Sequence, residues 1–198
     1  VGGVAAGLHI VGIGGTLRPR SSSGSALLFC LDHAKAHGAT VTAFTGPDLI
    51  APLYDPGTAA LPDGMEKMIA ALRRADGVIL ASPGYHGGIS GAIKNALDYT
   101  EEMAKDTRAY FDGRAVGCIA TAAGWQATGA TLTALRGIVH ALRGWPTPLG
   151  VMLNSSEPLF DETGGCIAEA TRAGLAAMTD QVIGFGRMRA GHEAAAAA

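Results

Sequence analysis

The chain has 198 residues, 48% of them hydrophobic and 16% charged, with a formal net charge of −2. That length suits one large domain able to bury roughly 70% of its unfolded surface. The near-neutral balance supplies no basic field for nucleic acid, and no apolar run approaches the roughly 18 residues of a membrane span. Three widely spaced cysteines, Cys30, Cys118 and Cys166, sit in apolar contexts and read as buried free thiols, which points to a reducing cytoplasm. The opening Val1–Gly7 lacks the basic start and long apolar core of a secretory signal.

The first predicted strand, Leu8-His9-Ile10-Val11, runs into Gly12-Ile13-Gly14-Gly15-Thr16-Leu17-Arg18-Pro19-Arg20-Ser21-Ser22-Ser23-Gly24-Ser25 and then a helix. A strand, a Gly/Ser/Thr loop and a helix start form an anion site, because first-turn N–H groups are unpaired and the macrodipole favours negative charge. No Gly-Lys-Ser/Thr follows Gly15, which excludes a nucleoside-triphosphate loop. Leu17 stands where a dinucleotide fingerprint needs its third glycine, and no acid follows the second strand at Phe44-Thr45-Gly46. Five hydroxyls (Thr16, Ser21, Ser22, Ser23, Ser25) and Arg18 remain, a donor set suited to a terminal phosphate monoester.

The first helix is predicted over Ser25–His37, ended by Gly38, and the second strand over Thr40–Phe44. A long connection with Pro47, Pro52, Pro56 and Gly57 follows, its apolar Leu49, Ile50, Leu53 and Tyr54 arguing for function over disorder. Asp63 and Glu66 stand at N-cap and N3 spacing of a second helix whose stripe is Met65, Met68, Ile69 and Leu72. The third strand, Gly77–Ser82, is wholly apolar and is expected to break at Pro83. Ser90 starts the third helix. The fourth strand is Arg114–Ala120, followed by the loop Thr121–Gly124 and a helix with Leu132, Leu135, Val139 and Leu142 on one face. The fifth strand is Leu149–Leu153, and the last helix spans about 163–185 before an alanine-rich tail.

Five strands alternating with five helical patterns imply a parallel sheet covered on both faces. Ligands of such sheets sit beyond the carboxyl ends of the strands at the topological switch point. The loops after strands one, three and four are the ones rich in Gly, Ser and Thr. They adjoin one another in the strand order 2-1-3-4-5, which this distribution therefore favours.

The most specific stretch is Pro83-Gly84-Tyr85-His86-Gly87-Gly88-Ile89-Ser90-Gly91-Ala92-Ile93-Lys94-Asn95-Ala96-Leu97-Asp98-Tyr99. Its glycines let backbone approach a flat ligand, and Tyr85 and His86 add an aromatic face with polar tips. Here the chain resembles the NADPH-dependent FMN reductases, whose loop reads Pro-x-Tyr-Asn-x-x-x-Pro-Gly-x-x-Lys-Asn-x-x-Asp. Pro83, Tyr85, Gly91, Lys94, Asn95 and Asp98 match it, while His86 stands for Asn and Ser90 for Pro. Gly15, Thr16, Arg18 and Ser21 match the family's phosphate loop, and the Leu53-Tyr54 region is similar to its Leu-Pro-x-Tyr segment.

The resemblance implies a flavodoxin-like three-layer sandwich with a five-stranded parallel sheet. Residues 8–190 would form a single FMN-binding domain, with 1–7 and 191–198 as flexible termini. It implies FMN phosphate on Thr16, Arg18, Ser21, Ser22, Ser23 and Ser25. The ring would be bordered by Pro83, Gly84, Tyr85, His86, Gly87 and Gly88, with Ala122, Ala123, Gly124 and Trp125 at its other edge. The implied activity is NAD(P)H-dependent FMN, quinone or azo-type reduction, with hydride passing from nicotinamide (NADPH or NADH) to the flavin N5. The flavin performs that chemistry, so no catalytic acid–base residue is expected. Electrons would go onward to a small-molecule acceptor or a flavin-dependent partner enzyme, from a homodimer or homotetramer. The competing reading is a flavodoxin-type carrier that binds FMN without oxidising NAD(P)H; such carriers tend to be strongly acidic, and this chain is not. His33, His37 and His192 are expected to lack partners at metal-ligand spacing, so no metal is expected. His9 reads as structural and His140 as packed or surface-lying.

Overall fold

The computed structural model describes residues 7–18, 20–57 and 60–196. The central apolar segments are buried on both faces, as in a parallel sheet flanked by helices, whereas the edge segment 40–45 is only partly buried. β1 (His9–Gly14), β2 (Thr40–Thr45), β3 (Gly77–Tyr85) and β5 (Ala115–Ala122) pair in the order β2-β1-β3-β5. The 2-1-3-4-5 expectation is therefore met, with the expected fourth strand being β5. β4 (Gly88–Ile89) is a short antiparallel return on β3.

The fifth parallel strand is not the single run expected at Leu149–Leu153. It is split into β6 (Trp145–Pro146), paired with the start of β5, and β7 (Val151–Asn154), paired with its end. Ala115 faces Trp145 whereas Ile119 faces Val151, so the outer strand carries extra residues around Pro148. Arg136 holds the detour by donating to the Thr147 carbonyl at 2.7 Å, and Gln181 Oε1 accepts the Leu149 N–H at 3.0 Å.

Strand β3 continues through Pro83 instead of breaking there. Its neighbour β1 ends where Gly14 faces Ala81, and between there and the β4 pairing at Gly84 only β5 pairs with β3, Pro83 lying opposite Thr121. A proline without an N–H is tolerated on that open edge. Likewise Thr121 and Ala122, expected in a loop, are the last residues of β5.

Helices α1 (Ser22–Ala36) and α5 (Glu169–Ala196) pack on one face of the sheet, around Ile10, Leu27, Ile79, Met178 and Val182. Helices α2 (Asp63–Arg74), α3 (Gly91–Asp98) and α4 (Trp125–Ala141) cover the other, around Val11, Ile69, Leu80, Leu97 and Leu135. α1 starts three residues earlier than expected because Ser21, not a later serine, is its N-cap. At α2 Pro62 is the N-cap and Asp63 the first helical residue, the fixed φ of proline setting the entry. α5 begins later than residue 163, after a turn at 161–165, and runs past Phe185 to Ala196, so much of the segment expected as a tail is helical. Most of the segment 1–7 lies outside the described residues. No described helix is long and apolar enough to cross a membrane.

The Lys94-Asn95 motif is a fastening for the long connection after β2. Asn95 Oδ1 accepts the Tyr54 N–H at 2.9 Å, and its Nδ2 donates to the Pro52 carbonyl at 2.8 Å. Tyr99 donates to the same carbonyl at 3.0 Å, and its ring meets Tyr54 edge-on. Lys94 pairs with Asp98 at 2.6 Å on the exposed side of α3.

Candidate cofactor-binding site

The first loop is shaped by close backbone approaches. A Cβ on Gly14 would lie 2.6 Å from the Ala81 carbonyl oxygen, and Gly15 at φ +91° donates its N–H to that carbonyl at 3.2 Å. The Thr16 hydroxyl accepts the Arg18 N–H at 3.1 Å, forming a tight turn that holds Arg18 at the surface. Ser21 Oγ accepts the Gly24 N–H at 3.1 Å, capping α1. The other N–H groups of that first turn have no acceptor within the helix and open outward. Arg20, at φ +54°, reaches across to donate to the Glu162 carbonyl at 2.8 Å.

The second loop is a hairpin. Gly84 faces Ile89 and Tyr85 faces Gly88, leaving His86 at φ +50° and Gly87 at φ +86° as a two-residue turn of the I′ type. The buried Ser82 hydroxyl closes its base, donating to the Pro83 carbonyl at 2.8 Å and accepting the Ser90 N–H at 3.0 Å. Ser90 in turn caps α3 through the Ile93 N–H. Gly84 is required from behind: a Cβ there would collide with Thr131 Oγ1 of α4.

The third loop is the start of α4. Gly124 is its N-cap at φ +116°, without a side-chain cap. Its own N–H is taken by Asn154 Oδ1 at 3.0 Å.

Between these loops lies a cavity of about 480 Å³. Of the expected residues, Thr16, Arg18 and Ser21–Ser23 line it from the first loop, Pro83–Tyr85 from the second, and Ala122 and Ala123 from the third. Ser25 is buried and lines a second, larger cavity of about 730 Å³ that shares Thr16, Arg18, Arg20 and Ser21 with the first and is completed by Leu28, Phe29 and the turn at 163–166. His86 and Gly87 occupy the exposed hairpin tip, Gly88 the return strand, and Gly124 and Trp125 the start of α4, all outside the cavity wall. Arg20, Thr121 and Ser155 also line the wall and were not expected there. Ser155 follows the carboxyl end of β7 in the polar run Asn154-Ser155-Ser156, a signal legible in the sequence.

Two arginines and no carboxylate, histidine or thiol line the cavity among the described residues. Its donors suit a dianionic phosphate, and the small Ala122, Ala123 and Pro83 leave room for a flat ring. Exposed Tyr85 lines it from the second loop, and exposed Trp125 is the first residue of α4, two residues after Ala123 of the wall. The uncapped start of α4 offers N–H groups to a ring edge that gathers negative charge. These features fit FMN.

The thiols lie away from this chemistry. Burial pushes Cys30 and Cys118 up to about 12, while Cys166 is only half-buried, contrary to expectation. His9 is structural, its N–H donating to Asp76 at 2.8 Å. His33 and His37 do have a partner: α5 brings Asp180 to within 2.8 Å of His33 Nε2.

Residues 8–182 match the model of the NADPH-dependent FMN reductase family. An FMN-dependent NADPH-azoreductase of Staphylococcus aureus (strain USA300) is 30% identical over 132 residues, which is 66% of this chain and 66% of that protein. The chain thus spans just under two thirds of that relative's length. An oxidoreductase from Corynebacterium diphtheriae superposes with a TM-score of 0.67 at 21% identity, over 90% of this chain and 96% of that one. FerB, a flavoenzyme NAD(P)H:(acceptor) oxidoreductase from Paracoccus denitrificans, gives a TM-score of 0.67 at 18% identity, over 93% and 99%. The fold is flavodoxin-like, and the chain belongs to the NADPH-dependent FMN reductase family.

Proposed function

We propose that the protein is an NAD(P)H-dependent FMN reductase that passes electrons to a small-molecule acceptor such as a quinone or an azo compound. The observation that carries this reading is the convergence of the loops after β1, β3 and β5 on one cavity rich in phosphate donors and poor in acid–base groups. Bound FMN would supply the redox chemistry. The residues of the chain have other tasks. Arg18, Thr16, Ser21 and the first-turn N–H groups of α1 hold a phosphate. Pro83–Tyr85 and Ala122–Ala123 confine the ring, and the start of α4 stabilises charge at its edge. Tyr85 and Trp125, both about half exposed, present aromatic faces where a nicotinamide would arrive. No side chain of the wall is required to move a proton.

The same reading places the protein in the cytoplasm as a homodimer or homotetramer. Leu53 and Ile50, 85% and 67% exposed on the connection after β2, support a subunit contact there. The relative's name motivates azo compounds as one acceptor class.

The test is to mix the purified protein with FMN and NADPH, with and without a quinone or azo dye, and follow nicotinamide absorbance. Oxidation well above background is expected. Tight FMN binding with no NAD(P)H oxidation under any acceptor would instead favour the flavodoxin-type carrier.

A further inference from the structure

His33 and His37 are one helical turn apart near the end of α1, so their imidazoles share a face, with ring centroids 4.2 Å apart. α5 packs along that face and delivers Asp180, whose Oδ1 lies 2.8 Å from His33 Nε2. One ligand atom from each of the three residues lies within 4.8 Å of the other two. A tetrahedral ion held at about 2.0–2.1 Å sets its ligands roughly 3.3 Å apart. Side-chain rotation of about an ångström closes the difference, and these positions leave room for it. Asp180 is 57% exposed and His37 also lies at the surface.

A further contact orients the set. Nδ1 of His37 lies 2.8 Å from the His33 carbonyl oxygen, which accepts an N–H there and leaves the lone pair on Nε2. A backbone carbonyl on the second ring nitrogen is the usual orienting partner of a metal-bound histidine. Two imidazoles and one carboxylate suit Zn²⁺ and its neighbours, whereas Ca²⁺ and Mg²⁺ take oxygen ligands.

We propose that His33, His37 and Asp180 form a surface site for a divalent transition metal of the Zn²⁺ class, its fourth position open to water. The ion bridges α1 to α5, whose sheet-facing sides share an apolar cluster that includes Leu27 and Met178, with the Cys30 thiol donating weakly to the Leu175 carbonyl at 3.8 Å. Because α1 carries the phosphate loop at its other end, the bridge fixes the helix on which that loop is built. The proposal is independent of the reductase reading.

The test is calorimetric titration of the chelator-treated full chain with Zn²⁺, paired with thermal melts. One ion per chain is expected, with a rise in melting temperature of about 5 °C at free Zn²⁺ roughly a hundredfold above Kd. His37→Gln and Asp180→Asn should each weaken binding about tenfold or more. The double variant H33Q/H37Q should abolish both the binding and the Zn²⁺-dependent melting shift. Its melt in chelator, matching that of the parent chain, shows that the fold is intact. Zn²⁺ binding that survives H33Q/H37Q unchanged, or no saturable binding by the parent chain, overturns the proposal.

Discussion

The side-chain oxygen of Asn154, at the end of β7, accepts the backbone N–H of Gly124 at 3.0 Å, tying the outer strand to the first turn of α4. The same oxygen accepts the Ser156 N–H at 3.2 Å, and Nδ2 donates to Glu157 at 3.1 Å. Asn154 is outside the cavity wall, yet it sets where the third loop stands. Asn154→Ala removes a hydrogen bond worth about 1 kcal/mol from that loop. FMN affinity measured by flavin fluorescence quenching should fall about fivefold. An unchanged affinity would mean that the third loop does not border the flavin.

Arg18 is exposed, and among the described residues no ion pair engages it. A charge-assisted contact to a phosphate contributes about 1.5–3 kcal/mol. Arg18→Ala should therefore weaken FMN binding by roughly ten- to a hundredfold, while the KM for NADPH, measured at saturating FMN, changes little. Equal losses for both ligands would show that Arg18 serves the nicotinamide nucleotide and not the flavin phosphate.

Much of this site was legible because its determinants are local. A phosphate loop is a matter of residue types in one strand–loop–helix unit, and Gly14, Gly15, Thr16 and Ser21 occur consecutively enough to read. The strand order followed from which loops carry glycine. What escaped the sequence depends on pairing. Pro83 reads as a break until β1 is seen to end opposite Ala81, leaving the proline on an open edge. The split of β6 from β7 is set by Arg136 and Gln181, which lie on helices α4 and α5. The meeting of His33 and His37 with Asp180 spans 147 residues and has no local signal. Ser25 shares its helix turn with the phosphate loop, but one residue's rotation around α1 turns it toward the turn at 163–166.

His86 departs from the asparagine of the family pattern, and its geometry gives the departure a physical cost. At φ +50°, in the first position of a type I′ turn, it occupies the left-handed region that Asn and Gly enter most readily. His86→Asn should stabilise the fold by about 0.5–1 kcal/mol, raising the melting temperature by roughly 1–4 °C. Because His86 lies on the exposed tip, FMN affinity should stay within about twofold. A lower melting temperature would indicate that the imidazole makes a compensating contact, in a partner subunit for example.

Arg114 is a fully buried cation whose guanidinium hydrogen bonds, among the described residues, go to backbone carbonyls. Its guanidinium donates to Ala75 at 2.9 Å, Tyr110 at 2.9 Å, Arg73 at 3.2 Å and Asp112 at 3.3 Å, joining the ends of α2 and β5. Burial, with Arg108 nearby, lowers it to about 10, so it remains charged at neutral pH. Arg114→Met would leave those four carbonyls without their donor. A loss of at least about 3 kcal/mol is expected in urea unfolding. Arg114→Lys should recover only part of it, since an ammonium cannot reach four acceptors spread around a planar fork.

The buried thiols make the alkaline limb of stability predictable in sign. Burial raises Cys30 and Cys118 to about 12 in the folded chain, whereas in the unfolded chain they ionise near the ordinary thiol value of about 8.5. Between those values the unfolded state releases protons that the folded state keeps, so stability falls as pH rises past about 8. Each fully differing proton contributes a slope of about 1.4 kcal/mol per pH unit. Arg114 acts oppositely as pH rises from about 9 through about 10, where its folded form loses a proton that the unfolded form retains. The window from about pH 8 to 9 therefore reports the thiols with little contribution from Arg114. Urea midpoints taken across it should fall for the parent chain and flatten in the double variant C30A/C118A, even though that variant is less stable at pH 7 through lost packing. In the native parent, neither thiol should react with a bulky disulfide reagent at pH 8 on the timescale of Cys166, the half-buried one. Parallel pH slopes in parent and variant would assign the alkaline loss to other groups.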